Sequence, residues 1–298
     1  MAAIVTEDLC KRFGSHEVLQ RVNLRVPLAS RFGFLGPNGA GKTTTIRILL
    51  GLLRASAGAA RVLDEDAWQN GPPIRRQVGY LPGEVRFYDG LTGRATLNFL
   101  NAARGASSHN EIKRLTRRFD LDLDKRVRDY SRGMKQKLGL IQALMHRPQL
   151  LILDEPTVSL DPLIREVLYE ELRNVTAEGR TVLFSSHTLS EVEELCDEVA
   201  ILRDGRLIEQ EKIEVLRQRA VRRVEILLAE GQPASDPPPQ LRVLHRSDAS
   251  VSGTWSGPID ALLAWLARSP VRDVTIAPPD LEHLFLAYYS HSARQDVS

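Results

Sequence analysis

The hydrophobic positions in the first two thirds of the chain change repeatedly between the spacing of strands and the spacing of helices. Near the N-terminus, IVTEDL (4–9) and VLQRVNLRV (18–26) alternate apolar and polar residues, which predicts two strands around a KRFGSH turn. Further along, the pattern predicts strands at 31–35, 150–155 and 181–186, helices at 45–53, 163–179 and 189–197, and a strand pair at 199–208. Strands that alternate with helices indicate an α/β fold, in which helices cover both faces of a mostly parallel sheet.

Two stretches have a different pattern. Between about Arg86 and Arg147 the periodicity is helical, which predicts a helical insert at about 86–147. After about Arg217 the sequence predicts a small α+β domain, with strands at 222–230, 241–247 and 271–279, helices at 258–269 and 280–289, and a proline-rich loop at 231–240. We place the boundary near 211–222 and divide the chain into a first domain, 1–215, and a second, 216–298.

The composition is that of an ordinary globular protein, with 43% hydrophobic and 26% charged residues among 298. A net charge of +2 argues against nucleic acid as a partner. The two cysteines, Cys10 and Cys196, have no CxxC spacing, which favours a reducing compartment and a core position for both. The N-terminus does not resemble a signal peptide, and no apolar run approaches the roughly 20 residues of a membrane-spanning helix. We therefore expect that this chain does not cross a membrane.

Two motifs predict a nucleoside triphosphate site. GPNGAGKT (36–43) matches GxxxxGK[ST] between a predicted strand and a predicted helix, where backbone N–H groups cradle phosphates and Lys42 reaches the β- and γ-phosphates. In LLILDEP (150–156), Asp154 ends an apolar strand and can hold Mg²⁺ together with the Thr43 hydroxyl. Glu155 follows and is expected to polarise the attacking water. We expect no other metal site, because the seven histidines have no ligand spacing.

In this order, with YSRGM (130–134) before LLILDEP and with VSLDP and SSH after it, the motifs resemble the ATP-binding subunits of ABC transporters over roughly 3–215. The resemblance implies an α/β P-loop NTPase (RecA-like) core with an antiparallel β subdomain and the helical insert. It implies ATP and Mg²⁺ as cofactors, and ATP hydrolysis in which Glu155, His187 and Lys42 are the catalytic residues. It assigns ATP binding to Phe13, which would stack on adenine, and to Gly36, Pro37, Asn38, Gly39, Ala40, Gly41, Lys42, Thr43 and Thr44.

The YSRGM stretch takes the place of the LSGGQ signature of this family. Ser131 is a suitable N-cap for the following helix, whose apolar residues at 134, 138, 141 and 145 share one face. In the family, such a helix start binds the γ-phosphate held by the opposite subunit. The resemblance therefore implies a head-to-tail dimer with a second copy of this chain, two ATP molecules between the subunits, and signature contacts from Ser131, Arg132, Gly133 and Met134.

Two motifs depart from the family pattern. The Q-loop Gln that normally touches Mg²⁺ and relays to the membrane partner is replaced by Gly83 and Glu84 in YLPGE, so that either Glu84 substitutes for it or the contact is missing. In the dimer-coupling loop, Leu160 and Asp161 remain, whereas Val158 and Ser159 replace the usual Ser-Gly. YLPGE and the basic signature residue resemble the separate ATPase subunits of bacterial exporters for drugs, antibiotics, lipids or polysaccharides.

We therefore predict the ATPase subunit of a bacterial exporter of drug, antibiotic or lipid-like substrates, cytoplasmic and peripheral on the inner face of the membrane, with a separate multi-spanning permease. An importer ATPase with a sensory C-terminal domain and a soluble ATPase acting on ribosomes or DNA are the alternatives. Ten basic and five acidic residues between Glu111 and Lys137 indicate either a surface near anionic lipid or the permease, or an ordinary solvated helix face. The role of 216–298, as dimer support, regulator or binding module, stays open.

Overall fold

The chain forms two compact units, Met1–Glu211 and Lys212–Ser298. The computed structural model describes residues 1–105, 107–229, 236–247, 249–279 and 281. For residues 219, 278 and 279 it describes the backbone but not the side chain. The predicted helix at 280–289 therefore falls outside the described residues except for Leu281, and the predicted loop at 231–240 is described only from residue 236.

The first unit contains eleven described strands and seven α-helices. The strands are β1 (Ala2–Phe13), β2 (His16–Val22), β3 (Arg25–Pro27), β4 (Arg31–Leu35), β5 (Ala57–Val62), β6 (Glu65–Asp66), β7 (Val78–Leu81), β8 (Leu150–Asp154), β9 (Thr181–Ser186), β10 (Glu198–Arg203) and β11 (Arg206–Lys212), whose last residue lies just past the boundary. The helices are α1 (Lys42–Leu49), α2 (Gly71–Gln77), α3 (Gly93–Ala103), α4 (His109–Arg118), α5 (Arg132–Leu144), α6 (Pro162–Ala177) and α7 (Leu189–Leu195), with a 3₁₀ turn at Val127–Asp129.

These strands form two sheets. One has the order β2-β1-β5-β6, with β3 also on β1, and its strand pairs are antiparallel. The other has the order β11-β10-β4-β9-β8-β7, and the four pairs from β10 to β7 are parallel. The predicted helical insert is present as α3, α4, the 3₁₀ turn and α5. The predicted fold class is confirmed for the first unit.

The parallel strands are buried on both faces, which explains their almost continuous apolar sequences. Every residue of β8 and β9 is buried, and the strands β4 and β10 contribute Phe32, Phe34 and Ala200 to the same core. Carboxyl ends of parallel strands meet at one edge of a sheet. The chain therefore brings together the carboxyl ends of β4, β8 and β9, where the predicted phosphate cradle, the two carboxylates and His187 lie.

Several elements differ from the sequence-based prediction. The strand β1 continues through Lys11–Phe13, so the predicted KRFGSH turn is reduced to Gly14 and Ser15, where Gly14 has φ of 59°. The predicted strand at 18–26 is split into β2 and β3. The strands β5 and β6 and the helix α2 were not predicted, because AGAARV and GPPIRRQ have too few large apolar residues for a clear period.

The second unit consists of α8 (Ile213–Arg219), β12 (Arg222–Leu228), β13 (Leu241–Arg246), β14 (Ser250–Trp255), α9 (Ile259–Leu266) and β15 (Val271–Pro279). Its antiparallel sheet has the order β13-β14-β12-β15. Trp255 and Leu262 belong to a core cluster made of residues of this unit alone. The strand β14 was not predicted, because serine, glycine and threonine occupy four of the six positions of SVSGTW and weaken its alternation.

Among the residues that the structure describes, no helix combines the length and the apolar character needed to span a membrane.

Candidate functional site

A loop of left-handed glycines joins β4 to the buried helix α1. Gly39 has φ of 84° and Gly41 of 106°, values that disfavour any residue with a Cβ. At Gly36 the backbone is ordinary, but an added Cβ would lie 2.3 Å from the carbonyl oxygen of Leu202. The loop can therefore curve tightly around an anion, with the first free amides of α1 at its end.

Lys42 closes this cradle from inside. The side chain is only 6% exposed, and its ammonium donates hydrogen bonds to the carbonyl oxygens of Gly36 and Pro37. The same Nζ lies 3.4 Å from Glu155 Oε1. A buried ammonium held between the loop and a carboxylate is well placed to meet phosphate oxygens.

The predicted metal residues are in direct contact. Thr43 Oγ1 donates to Asp154 Oδ2 over 2.8 Å, and Ser185 Oγ on β9 donates to Asp154 Oδ1 over 2.9 Å. A hydroxyl beside a buried carboxylate is an oxygen-only donor set, which fits Mg²⁺ when phosphate oxygens and water complete its shell. Sequence reasoning missed Ser185, although its place beside Asp154 follows from the pairing of β8 with β9.

Glu155 lies between Lys42 and His187. Its backbone is left-handed, with φ of 52°, and its Oε2 lies 2.6 Å from His187 Nδ1. The other oxygen, Oε1, is buried and accepts no hydrogen bond from the residues that the structure describes. The structure therefore brings the other two predicted catalytic side chains to the carboxylate of Glu155, Lys42 to Oε1 and His187 to Oε2.

Two residues that sequence reasoning missed, Ser186 and Glu191, hold the loop that carries His187. Ser186 Oγ accepts the N–H of Thr188 over 2.9 Å and donates to the buried Glu191 over 2.7 Å. The carbonyl of Ser186 accepts the N–H of Gly36, which joins this loop to the start of the cradle. The position of His187 is thus set by Glu191 on α7 and by Gly36, the residue that follows β4.

Phe13 ends β1 with its ring 51% exposed. Lys11 Nζ lies 4.8 Å from the ring centroid, where it makes a cation–π contact. Val18 on the paired strand β2 lines a cavity of about 270 Å³ together with the cradle, Asp154 and Glu155. Val18 therefore lies beside the phosphate site, and Phe13 lies on the strand that pairs with β2. Sequence reasoning missed Lys11 and Val18, because strand alternation alone does not indicate what a side chain faces.

The signature residues form a second group, away from the cradle loop. Ser131 caps α5 as expected, with Oγ accepting the N–H of Met134 over 3.2 Å, and Arg132 is exposed beside it. Gly133 packs against the loop after β8, since an added Cβ would lie 2.7 Å from the carbonyl oxygen of Ser159. The departure from the family at Tyr130 has a packing reason, because its buried hydroxyl donates to the Asp122 carbonyl over 2.6 Å.

The two remaining motifs have structural partners. An added Cβ on Gly83 would lie 3.6 Å from Asp154 Oδ2, so the YLPGE loop passes directly by the metal carboxylate. Glu84, however, pairs with Arg86 over 2.9 Å, and both side chains are largely exposed. Leu160 is buried, and Asp161 caps α6 by accepting the N–H of Ile164 over 3.0 Å.

The phosphate loop, the buried lysine, the hydroxyl–carboxylate pair and the adjacent glutamate together define a P-loop nucleoside triphosphatase. The model of the "ABC transporter" family matches residues 19–158. The bacitracin transport ATP-binding protein of Bacillus licheniformis is 38% identical over 234 residues, which cover 78% of this chain and 76% of that protein. The Nod factor export ATP-binding protein I of Cupriavidus metallidurans is 35% identical over 216 residues, 71% of each chain.

A solved ATP-binding subunit of an ABC transporter superposes with a TM-score of 0.69 and 31% identity, covering 72% of this chain and 92% of that one. The protein therefore belongs to the ATP-binding proteins of ABC transporters and is an ATPase. The family, the fold and the ATPase activity expected from the sequence are confirmed.

Proposed function

We propose that this protein is the ATPase subunit of a bacterial exporter, in which two copies close around two ATP molecules and drive a separate multi-spanning permease from the cytoplasmic face of the membrane. The observation that carries the proposal is the position of Glu155, between Lys42 at 3.4 Å and His187 at 2.6 Å. This arrangement supports hydrolysis of the terminal phosphate, since phosphoryl transfer depends mainly on positioning and charge stabilisation.

Each side chain has a separate task in this proposal. Lys42 binds the β- and γ-phosphates, while Thr43 and Asp154 hold Mg²⁺, which neutralises charge on the phosphate oxygens. Glu155 orients the attacking water and accepts its proton, and His187 contacts the γ-phosphate. Phe13 stacks on adenine with the ring face that Lys11 leaves free.

The signature residues support the dimer. Ser131 and Arg132 are exposed at the start of α5, where the helix presents free N–H groups and one guanidinium. We propose that they bind the γ-phosphate of ATP on the second copy. A bacterial ABC transporter cassette with 21% identity and a TM-score of 0.65 was solved as a dimer, and this supports the fold on which such an assembly depends.

The substrate class is proposed from the relatives. One similar protein is named for bacitracin transport and another for Nod factor export. We therefore propose a substrate of drug, antibiotic or lipid-like character, selected by the permease. Exposed aromatic side chains near the YLPGE loop and on α3, Tyr88 and Phe99, are candidates for permease contact.

The catalytic part is tested with Glu155→Gln. We expect ATP hydrolysis to fall by about 10²–10⁴-fold, because the general base is lost. Mg-ATP should still bind and should convert the variant into a stable dimer, measured as a doubling of mass by light scattering. Glu7→Gln, an exposed change on β1, is the control and should hydrolyse ATP normally. A Glu155→Gln variant that hydrolyses ATP at the normal rate would remove Glu155 from the mechanism, and one that stays monomeric with Mg-ATP would refute the dimer.

The transport part is tested by recovery of tagged protein from detergent-solubilised membranes, with and without Mg-ATP. A multi-spanning protein recovered in about equal amount is the expected result. Recovery of ribosomes or other soluble partners alone would contradict the transport function while leaving the ATPase site intact.

A further inference from the structure

Gln136 connects the signature helix to the catalytic loop. It lies in the second turn of α5 and is only 6% exposed. Its side-chain Nε2 donates to the carbonyl oxygen of Pro156 over 3.0 Å and lies 3.4 Å from that of Glu155. A buried amide that joins two elements through backbone carbonyls sets their relative position, because leaving those groups unpaired costs free energy.

The segment that Gln136 holds carries backbone strain. Glu155 has φ of 52°, a conformation that is unfavourable for a non-glycine residue and persists only when surrounding contacts hold it. The next residue, Pro156, has no backbone N–H to contribute. The N–H of Glu155 donates to Ser185 O over 3.1 Å, which secures one side of the residue. On its carbonyl side, Glu155 is held by Gln136, whose Nε2 contacts the carbonyl oxygens of Glu155 and Pro156.

The same helix contacts the far end of this segment. Gly133, one turn earlier on α5, packs so closely on Ser159 that an added Cβ would lie 2.7 Å from its carbonyl oxygen. The stretch from Glu155 to Ser159 therefore rests on α5 at both ends. Because a helix moves as a rigid body, a displacement at its exposed start, Ser131 and Arg132, also displaces the backbone of Glu155.

We propose that Gln136 is a positioning residue: it holds the Glu155 backbone so that the carboxylate lies between Lys42 and His187, and it transmits binding of a phosphate anion at the start of α5 to the hydrolytic centre of the same chain. This rests on the proposed function, in which that anion is the terminal phosphate of ATP on a second copy. Gln136 touches neither nucleotide. It makes each site sensitive to ATP in the other.

The test begins with Gln136→Met, which keeps the length of the side chain and removes its N–H groups. A shift of about 1 Å in a catalytic group lowers the rate by up to about 100-fold. We expect kcat for ATP to fall about 10–100-fold while KM changes less than about twofold. Gln142→Met, on the same helix, is the matched control and should keep normal kcat, because the Gln142 side-chain amide makes no hydrogen bond to a residue that the structure describes. A normal kcat in Gln136→Met would overturn the proposal.

A double variant separates positioning from other roles. If Gln136 acts through Glu155, Gln136→Met should change the residual hydrolysis of Glu155→Gln by less than about twofold, since groups that act as a unit are not additive. If the double variant lost the product of the two separate losses in rate, the proposal would be overturned. If Glu155→Gln itself hydrolyses ATP normally, the proposed function has failed instead, so the two failures are distinguishable.

The coupling is measured from the dependence of the rate on ATP concentration. We expect a sigmoidal dependence in the unaltered protein and a hyperbolic one in Gln136→Met; a sigmoidal curve that survives the substitution would overturn the coupling. Should Gln136→Met unfold, Gln136→Asn keeps an amide but withdraws it by one methylene. For Gln136→Asn we expect kcat to fall less than in Gln136→Met, again without a change in KM. An unchanged kcat would overturn the proposal.

Discussion

Gly133 combines two demands at the start of α5. Its N–H belongs to the free helix end that we propose for phosphate binding, and its Cα faces the carbonyl of Ser159. The first demand is met by any residue except proline, since only the backbone N–H is used. The second demand excludes a side chain, because the opposing atom belongs to the backbone and cannot rotate away.

We therefore predict that Gly133→Ala destabilises the first unit by about 1–3 kcal/mol, the usual cost of an inserted methyl group in a packed contact. Urea unfolding measures this difference, and ATP hydrolysis should fall with it because the displaced loop carries Glu155. Gly90→Ala is the control, since a Cβ there meets no atom within 4 Å. Equal stability of the two variants would show that Gly133 serves only the phosphate.

The helices α4 and α6 are joined by a buried carboxylate. Glu171 on α6 is 3% exposed and accepts hydrogen bonds from Arg114 at 2.7 and 2.8 Å and from Arg118 at 3.0 Å. Burial by itself would raise the pKa of Glu171, but the hydrogen bonds from Arg114 and Arg118 outweigh it and hold the pKa below its ordinary 4.5. This cluster anchors the helical insert to the ATPase core.

Glu171→Gln should lower the free energy of unfolding at pH 7 by about 1–3 kcal/mol, a value reduced by the partial exposure of both arginines. Because the folded-state pKa is depressed, the stabilisation is present above about pH 4.5 and is lost as pH falls through the lower value. The difference between variant and unaltered protein should therefore shrink in acid. Glu166→Gln, which breaks an exposed pair with Arg173 on the same helix, should cost under about 1 kcal/mol. Equal losses for the two variants would contradict the special role of Glu171.

The elements that the sequence predicted well are those with a clear period or a buried apolar run. The apolar runs LLILD and TVLFSS predicted β8 and β9 correctly, because strands that are buried on both faces need no polar alternation. The strands β5 and β14 were not predicted, because small and polar residues occupy them. The strand β5 is stabilised by pairing with β1, and β14 by pairing with β12 and β13. Such pairing joins residues that are far apart in the chain, so the local sequence pattern does not indicate it.

Among the residues that the structure describes, two hydrophobic clusters lie in different units. One cluster draws its residues from 3–202 and the other from 224–266. A unit with its own core and its own sheet is expected to fold without the other. The residues proposed for catalysis and the signature residues all belong to the first unit, Met1–Glu211.

A fragment that ends at Lys212, the last residue of β11, should therefore fold and bind ATP. Calorimetry of the full chain should resolve two transitions, and the midpoint of one should coincide with that of the fragment. A fragment that remains unfolded, or a single transition of the full chain, would contradict independent folding. Hydrolysis by the fragment would further locate the whole ATPase reaction in the first unit and leave 213–298 for regulation, dimer support or binding.

The cradle, the carboxylates after β8 and the cap at Ser131 were predictable from the sequence by itself, because each is a local pattern whose chemistry depends on neighbouring residues. The tertiary structure decided which of these patterns meet. Only the pairing of β4, β9 and β8 brings Glu155 to Lys42 and His187, and only the packing of α5 on the following loop gives Gln136 and Gly133 their partners. Contacts between residues distant in the chain arise from burial and strand register, which a motif does not encode.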